Sequence, residues 1–262
     1  MTQRYALFFD IDGTLVSFQT HEIPPSTILA LTQAKANGSR VYIATGRPPI
    51  IITNLRAIEH LIDGYITTNG ALCFVGHEMV TCQPIAKDDV MTCIEDCQEK
   101  GNSLIVIGRK DVAVIDPKGD VDRIFRQMLA VKNLDQASPL DVVLQQDILQ
   151  LTAFFPADYE PLLMARMPQC VSGRWHPEFT DILHNGANKG TGLRNMAAHF
   201  GIPVEQTLAM GDGGNDVPML EAAGIGVAMG NAKPDVQARA DYVTADCDDD
   251  GLCKAFAHFG II

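Results

Sequence analysis

The chain has 262 residues, 47% of them apolar and 20% charged, with a formal net charge of -12. That composition suits an ordinary globular protein of roughly two domains, and the acidic balance argues against nucleic acid or an anionic membrane as main partner, since both need Lys and Arg in excess. Seven scattered cysteines (Cys73, Cys82, Cys93, Cys97, Cys170, Cys247, Cys253) without C-x-x-C spacing exclude a disulfide framework and a zinc site, so reduced thiols in a cytoplasmic setting fit best.

The first strand begins by Tyr5, and no apolar run approaches the roughly 18 residues of a membrane span, which leaves no room for a signal peptide or a span. Tyr5 to Phe9 is apolar on both faces, as in a central parallel strand, and ends in Asp10-Ile11-Asp12-Gly13-Thr14. The carboxyl ends of such strands are where open α/β sheets bind ligands. Two carboxylates this close disfavour each other's ionisation unless a cation lies between them or one keeps its proton. Alone, Asp-Gly is ordinary turn chemistry; its companions downstream make it a site.

Ser26 is placed to cap a helix from Thr27 to about Asn37, stopped by Gly38. The strand Arg40 to Ala44 then delivers Thr45-Gly46-Arg47-Pro48 to the same sheet edge as Asp10, because parallel crossovers keep carboxyl ends together. A helix from Pro49 to Leu61 precedes the strand Gly64 to Thr67, and Asn69-Gly70 predicts a two-residue hairpin. From Pro84 the alternation changes to helix (Asp88 to Lys100), hairpin (Ser103 to Ile107, Val112 to Ile115), helix (Asp120 to Val131), strand (Ile148 to Phe155), helix (Glu160 to Met167) and hairpin (Cys170 to His176, Phe179 to His184). This marks an inserted second domain, 84–185, between core segments 1–83 and 186–262. The first pattern resumes at Lys189-Gly190 with a helix from Thr191 to Phe200, the strand Gln206 to Met210 and the acidic loop Gly211-Asp212-Gly213-Gly214-Asn215-Asp216. A helix from Val217 and strands at Ile225 and Tyr242 complete five or six parallel strands, and Asp246, Asp248, Asp249 and Asp250 read as a solvated helix entry.

Strand ends and helix starts far apart in sequence thus bring Asp10 and Asp12, Thr45 and Gly46, Lys189, and Asp212, Asn215 and Asp216 to one crevice. Hard oxygens from Asp10 and Asp212 suit Mg2+, which prefers one or two carboxylates plus a substrate phosphate. Thr45 and the Gly46 amide can donate to phosphoryl oxygens, Lys189 adds positive charge, and Asn215 can orient Lys189 or the phosphate. A lysine opening a helix opposes the helix dipole, and that misplacement favours a functional reading.

The four segments Asp10-Ile11-Asp12-Gly13-Thr14, Thr45-Gly46-Arg47, Lys189-Gly190 and Gly211-Asp212-Gly213-Gly214-Asn215-Asp216, in this order with a long insertion before the third, resemble the haloacid dehalogenase (HAD) superfamily. The resemblance spans nearly the whole chain and is to the Cof-like type IIB sugar phosphatases. Arg174-Trp175-His176-Pro177 and the ending Lys254 to Ile262 are similar to bacterial hexose-phosphate phosphatases. It implies an α/β fold: a Rossmann-like parallel-sheet core with an inserted mixed α/β cap, a mobile lid hinged near Cys82 to Pro84 and Asn185 to Asn188. It also implies that Asp10 is the nucleophile and Asp12 the general acid and base. Mg2+ would be held by Asp10, Asp212 and the Asp12 carbonyl, and through water by Asp216. The expected partner is a small phosphorylated sugar, and a monomer is compatible with the sequence. Arg47, Arg174, Trp175 and His176 are candidates for substrate selection, the alternative being that Trp175 packs into the core of the insertion and Arg174 is solvated. The rivals are a phosphorelay receiver, a non-catalytic sugar-phosphate sensor and a phosphomutase. The first strand position of the nucleophile, the second aspartate and the insertion all count against a receiver.

Overall fold

A computed structural model describes residues 4–128, 134 and 137–262, except the side chains of Met128 and Trp175. The chain divides into two compact units: Met1–Arg47, Ile52–Cys82 and Asn188–Ile262 form the first, and Pro48–Ile51 with Gln83–Ala187 the second.

The first unit opens with β1 (Ala6–Phe9), α1 (Pro25–Ala36), β2 (Arg40–Ala44), β3 (Gly64–Thr67), β4 (Leu72–Val75) and β5 (Glu78–Cys82). The second contains α2 (Lys87–Lys100), β6 (Leu104–Gly108), β7 (Val112–Ile115), a π-helical stretch Asp122–Met128, α3 (Leu140–Val143), β8 (Ile148–Phe154), α4 (Glu160–Met164), β9 (Cys170–His176) and β10 (Phe179–His184). The first then resumes with α5 (Lys189–His199), β11 (Thr207–Gly211), α6 (Val217–Ala222), β12 (Ile225–Ala228), α7 (Pro234–Gln237), β13 (Tyr242–Val243) and α8 (Gly251–His258).

The sheet of the first unit runs β13-β12-β11-β1-β2-β3-β4-β5. From β13 to β3 every pairing is parallel, and β4 and β5 extend the sheet antiparallel. All four residues of β1 are buried because both faces are covered. Leu7 and Phe9 enter a core shared with Leu31 of α1 and Phe256 of α8, while Ala6 and Phe8 face Leu193 and Met196 of α5 and Leu220 of α6. Phe8 stacks on Tyr42 of β2 with ring centroids 4.8 Å apart. Such two-sided burial makes β1 a rigid stem for the residues at its carboxyl end.

The five-stranded sheet of the second unit, β7-β6-β8-β10-β9, is antiparallel throughout. Val90, Cys93, Ile94 and Cys97 of α2 and Leu163 of α4 pack on one face against Leu151 and Ala153, and Ile105, Phe154 and Phe179 join a second cluster with Ile124 and Leu134.

Local elements differ from expectation at several points. The helix expected from Pro49 to Leu61 is only two short 3-10 turns, Pro49–Ile51 and Glu59–Leu61; the branched run Ile50-Ile51-Ile52-Thr53 has little helix propensity. Helix α1 starts at Pro25 without a side-chain cap, so Ser26 lies inside it; Pro favours the first helical position. The turn at Asn69 spans four residues, since Thr67 pairs with Leu72. Edge strand β5 is not expected from the sequence pattern. The end of the expected helix beyond Met128, to Val131, lies outside the described residues. Among the described residues no helix is long and apolar enough to cross a membrane.

Candidate active site

The β1 ladder continues one residue beyond the strand, where the Asp10 N–H donates to Met210 O at 3.1 Å, so the Asp10 side chain emerges at the carboxyl end of the central strand. Lys189 is fully buried, and its ammonium donates to Asp10 Oδ1 at 2.6 Å and to Asp216 Oδ1 at 2.5 Å. Its placement follows from a local cap: Asn188 Oδ1 accepts from the Thr191 N–H at 2.8 Å and starts α5 two residues earlier than its sequence pattern suggests. The Asp216 Oδ2 accepts the Asp212 and Gly213 N–H groups at 3.0 and 2.8 Å, which folds the glycine-rich loop around that carboxylate.

Asp212 accepts at Oδ1 from the Thr14 hydroxyl at 3.0 Å. Gly13 adopts φ +82, and a Cβ there would lie 2.3 Å from Asp212 Oδ2, so this glycine is what lets the two loops meet. Asn231 ties the same turn down by donating to Gly13 O at 2.8 Å. Sequence offers Thr14 only as a member of the first motif, with no role, and Asn231 not at all. Their partners lie about two hundred residues away along the chain, a separation over which local pattern carries no signal.

Asp10, Asp212 and Asp216 each offer one carboxylate oxygen within 4.8 Å of the others. Burial, reinforced by the Asp216 charge and opposed by Lys189, raises the Asp10 carboxyl to about 8. Burial and Asp216 likewise raise Asp212 to about 7, against the Thr14 hydrogen bond. Burial disfavours the Lys189 charge, but the two carboxylates outweigh it and hold its pKa above the ordinary value. Three carboxylates around one ammonium leave two positive charges missing. A small divalent cation with hard oxygen preference fits that deficit.

Asp12 lies apart from this trio. Arg47 grips it with two hydrogen bonds, Nε to Oδ2 at 2.7 Å and Nη2 to Oδ1 at 2.8 Å. The Arg47 N–H donates to Thr45 Oγ1 at 3.1 Å, which leaves the Thr45 hydroxyl hydrogen available for an acceptor. Asn215 donates to Asn69 Oδ1 at 3.0 Å, while Lys189 is oriented by Asp10 and Asp216. The residues expected to share a crevice thus all belong to the first unit.

The hairpin candidates belong to the second unit. Arg174 is mostly buried and donates to Glu160 Oε2 at 2.6 Å and to Pro177 O at 2.9 Å, with its guanidinium 5.5 Å from the centre of the Phe155 ring. These contacts give it a packing role, in place of the solvated one that sequence offers as the alternative to substrate selection. His176 stacks on Phe179 at 5.0 Å and accepts from the Glu178 N–H at 3.2 Å. The Trp175 side chain lies outside the described residues.

The profile of the haloacid dehalogenase-like hydrolases matches residues 7–256. Among solved structures, the HAD subclass IIB sugar phosphatase BT4131 is 46% identical, covers 98% of this chain and 100% of its own, and superposes with a TM-score of 0.89. BT1666 from Bacteroides thetaiotaomicron, one of the phosphatases of that superfamily, is 34% identical over 99% of this chain and 96% of its own, with a TM-score of 0.87. The Bacillus subtilis 5-amino-6-(5-phospho-D-ribitylamino)uracil phosphatase YitU is 27% identical, with 97% of this chain and 96% of its own covered. The chain belongs to the haloacid dehalogenase-like hydrolases, and within them it is a phosphatase.

Proposed function

We propose that the protein is a Mg2+-dependent phosphomonoester hydrolase of small phosphorylated sugars, hexose phosphates among them, working through an aspartyl-phosphate on Asp10. The observation that carries this reading is the buried Asp10-Lys189-Asp216 triplet at the end of β1. Lys189 fixes Asp10 through Oδ1, so Oδ2 is the oxygen left to attack phosphorus. The phosphorus–sugar oxygen bond breaks as the Asp10–phosphorus bond forms, and Asp12 passes its proton to the departing oxygen. Asp12 then takes a proton from water, which attacks the phosphoryl group, frees orthophosphate and restores the Asp10 carboxylate. Thr45, the Gly46 amide, Lys189 and Asn215 are assigned to the phosphoryl oxygens. Asp10, Asp212 and the Asp12 carbonyl would hold Mg2+, with Asp216 reaching it through water. When bound, the ion offsets the charge that a phosphate dianion brings to three carboxylates. Likeness to a subclass IIB sugar phosphatase supports the substrate class, and seven free cysteines support a cytoplasmic setting.

Orthophosphate release from a panel of phosphomonoesters with Mg2+ tests the proposal. Hexose phosphates should be cleaved, and excess chelator should stop the reaction. Isomerised sugar phosphate without net orthophosphate would identify a mutase, and binding without either would identify a sensor.

Arg47 donates once to each Asp12 oxygen, so it fixes the carboxylate's orientation and leaves lone pairs on both for a leaving oxygen. Asp12→Asn is expected to slow sugar phosphates about a hundredfold or more while sparing nitrophenyl phosphate, whose leaving group needs little protonation. Equal losses on the two substrates would exclude Asp12 as the acid.

The raised carboxyls also predict a pH dependence of stability. Between about pH 4 and pH 8 the folded, metal-free protein keeps protons on Asp10 and Asp212 that the unfolded chain has released, so stability falls as pH rises through that window. The melting temperature without metal should be higher at pH 5.5 than at pH 8. Saturating Mg2+ should raise it more at pH 8, where fewer protons compete for the carboxylates. An equal gain at both pH values would contradict this metal assignment.

A further inference from the structure

The loop joining β3 to β4 takes no part in the mechanism above, yet it holds the most constrained backbone around the site. Thr68, Asn69 and Gly70 adopt φ 51, 49 and 90, three left-handed residues in succession. That conformation is costly for β-branched Thr68, and such strain persists only where the surroundings impose it. The Thr68 hydroxyl is fully buried and has no hydrogen-bond partner among the described residues. A Cβ on Gly70 would lie 2.2 Å from the carbonyl oxygen of Asn188, the residue that caps the helix bearing Lys189.

On its other side the loop clamps the segment after β2. The Thr68 N–H donates to Arg47 O at 3.1 Å and the Asn69 N–H to Thr45 O at 3.0 Å. The left-handed turn aims the Asn69 amide back over Gly46, where a Cβ would stand 3.2 Å from both polar atoms of Asn69 and 3.4 Å from Asn215 Nδ2. Asn69 Oδ1 accepts from Asn215, joining the β3 end to the loop after β11 across the intervening strands β2 and β1. That bond uses the acceptor of Asn69 and leaves its Nδ2 donor without a partner among the described residues, beside the glycine whose amide is assigned to the phosphoryl group.

We propose that Asn69 binds the phosphoryl group: Nδ2 donates to one of its oxygens beside Gly46 while Oδ1 holds Asn215 in place. The assignment rests on the phosphatase reading and adds to it a residue from the β3–β4 loop. It also gives the strained backbone a cause, because a relaxed hairpin would turn the amide away from Gly46.

The decisive variants are Asn69→Gly and Asn69→Asp. Glycine accepts the left-handed backbone at no steric cost, so it removes the amide without breaking the loop. Aspartate keeps the size and the acceptor for Asn215 but replaces the donor with a negative oxygen. Binding of orthophosphate, with Mg2+ in excess, is measured by calorimetry beside melting temperatures. Asn69→Gly is expected to melt within a few degrees of wild type and to bind orthophosphate on the order of ten- to a hundredfold more weakly, the size of one hydrogen bond to a charged acceptor. Asn69→Asp should bind more weakly still. Orthophosphate binding by Asn69→Asp at the wild-type level would reduce the residue to a structural link to Asn215. Binding by Asn69→Gly within twofold of wild type, or none by wild type, would overturn the proposal as well. A wild-type protein that binds orthophosphate but hydrolyses no phosphomonoester would refute the hydrolase reading alone, since the variant comparison still reads the contact.

Discussion

Replacing Asp10 by Asn is expected to reduce orthophosphate release by at least about a thousandfold while leaving the metal-free protein as stable as wild type, or more so. The amide keeps the volume and an oxygen for the Lys189 ammonium, but it is a poor nucleophile and cannot give the aspartyl-phosphate. Stability should not suffer, because the carboxylate it removes is buried beside Asp216 and near Asp212, and like charges at such spacing oppose each other. Steady-state assays and thermal melts in chelator check both halves. Residual activity above a few per cent would show that another group attacks phosphorus. A large drop in melting temperature would show that the Asp10 charge is needed to hold Lys189.

The second large effect is expected at Lys189. Lys189→Met fills the same buried space with an apolar chain and leaves Asp10 and Asp216 without the cation they share. Breaking a buried ion pair from one side costs about 3–5 kcal/mol, so the variant should melt well below wild type at pH 8. The loss should shrink toward pH 5, because the stranded carboxyls can then take protons. Turnover should disappear at every pH, since the ammonium is also the positive charge assigned to the phosphoryl oxygens. If the variant melted like wild type at pH 8, the triplet would not be a stabilising element.

The sequence makes these two residues legible for different reasons. Asp10 stands at the end of an apolar run buried on both sides, as a short run closed by turn residues does in a central parallel strand. Lys189 shows itself by being wrong for a helix start, and its partners prove to be the acids of two distant strand ends. The parallel order of β1, β2 and β3 was readable from strands separated by crossover-length connections up to Thr67, and that of β11, β12 and β13 from the same pattern after Lys189. Contacts between distant side chains were not. Nothing near Arg47 in sequence announces its grip on Asp12, and Asn69-Gly70 carries a strong turn signal that masks its contacts with Thr45, Asn188 and Asn215. Residues 49–61 miss the expected helix because the branched side chains of Ile50 to Thr53 oppose one. For Arg174 the residue type fits a substrate contact or a solvated charge, and its burial against Glu160 is set by a residue fourteen positions away that local pattern does not reveal.

The place of β1 in the sheet also governs the order in which the chain becomes a protein. Ala6 pairs with Arg40 on one side and with Thr207 on the other. As the chain leaves the ribosome, Gln83–Ala187 emerges as one uninterrupted stretch able to close its own antiparallel sheet. Strand β1 meanwhile waits with one apolar edge unpaired until Thr207–Gly211 arrives, and such an edge is a template for aggregation. Closing so long a loop is slow relative to local pairing. Docking of Asn188–Ile262 onto β1 is then the late step of refolding. Because Asp10 meets Lys189 and Asp216 only through that docking, the return of activity times the moment the sheet closes.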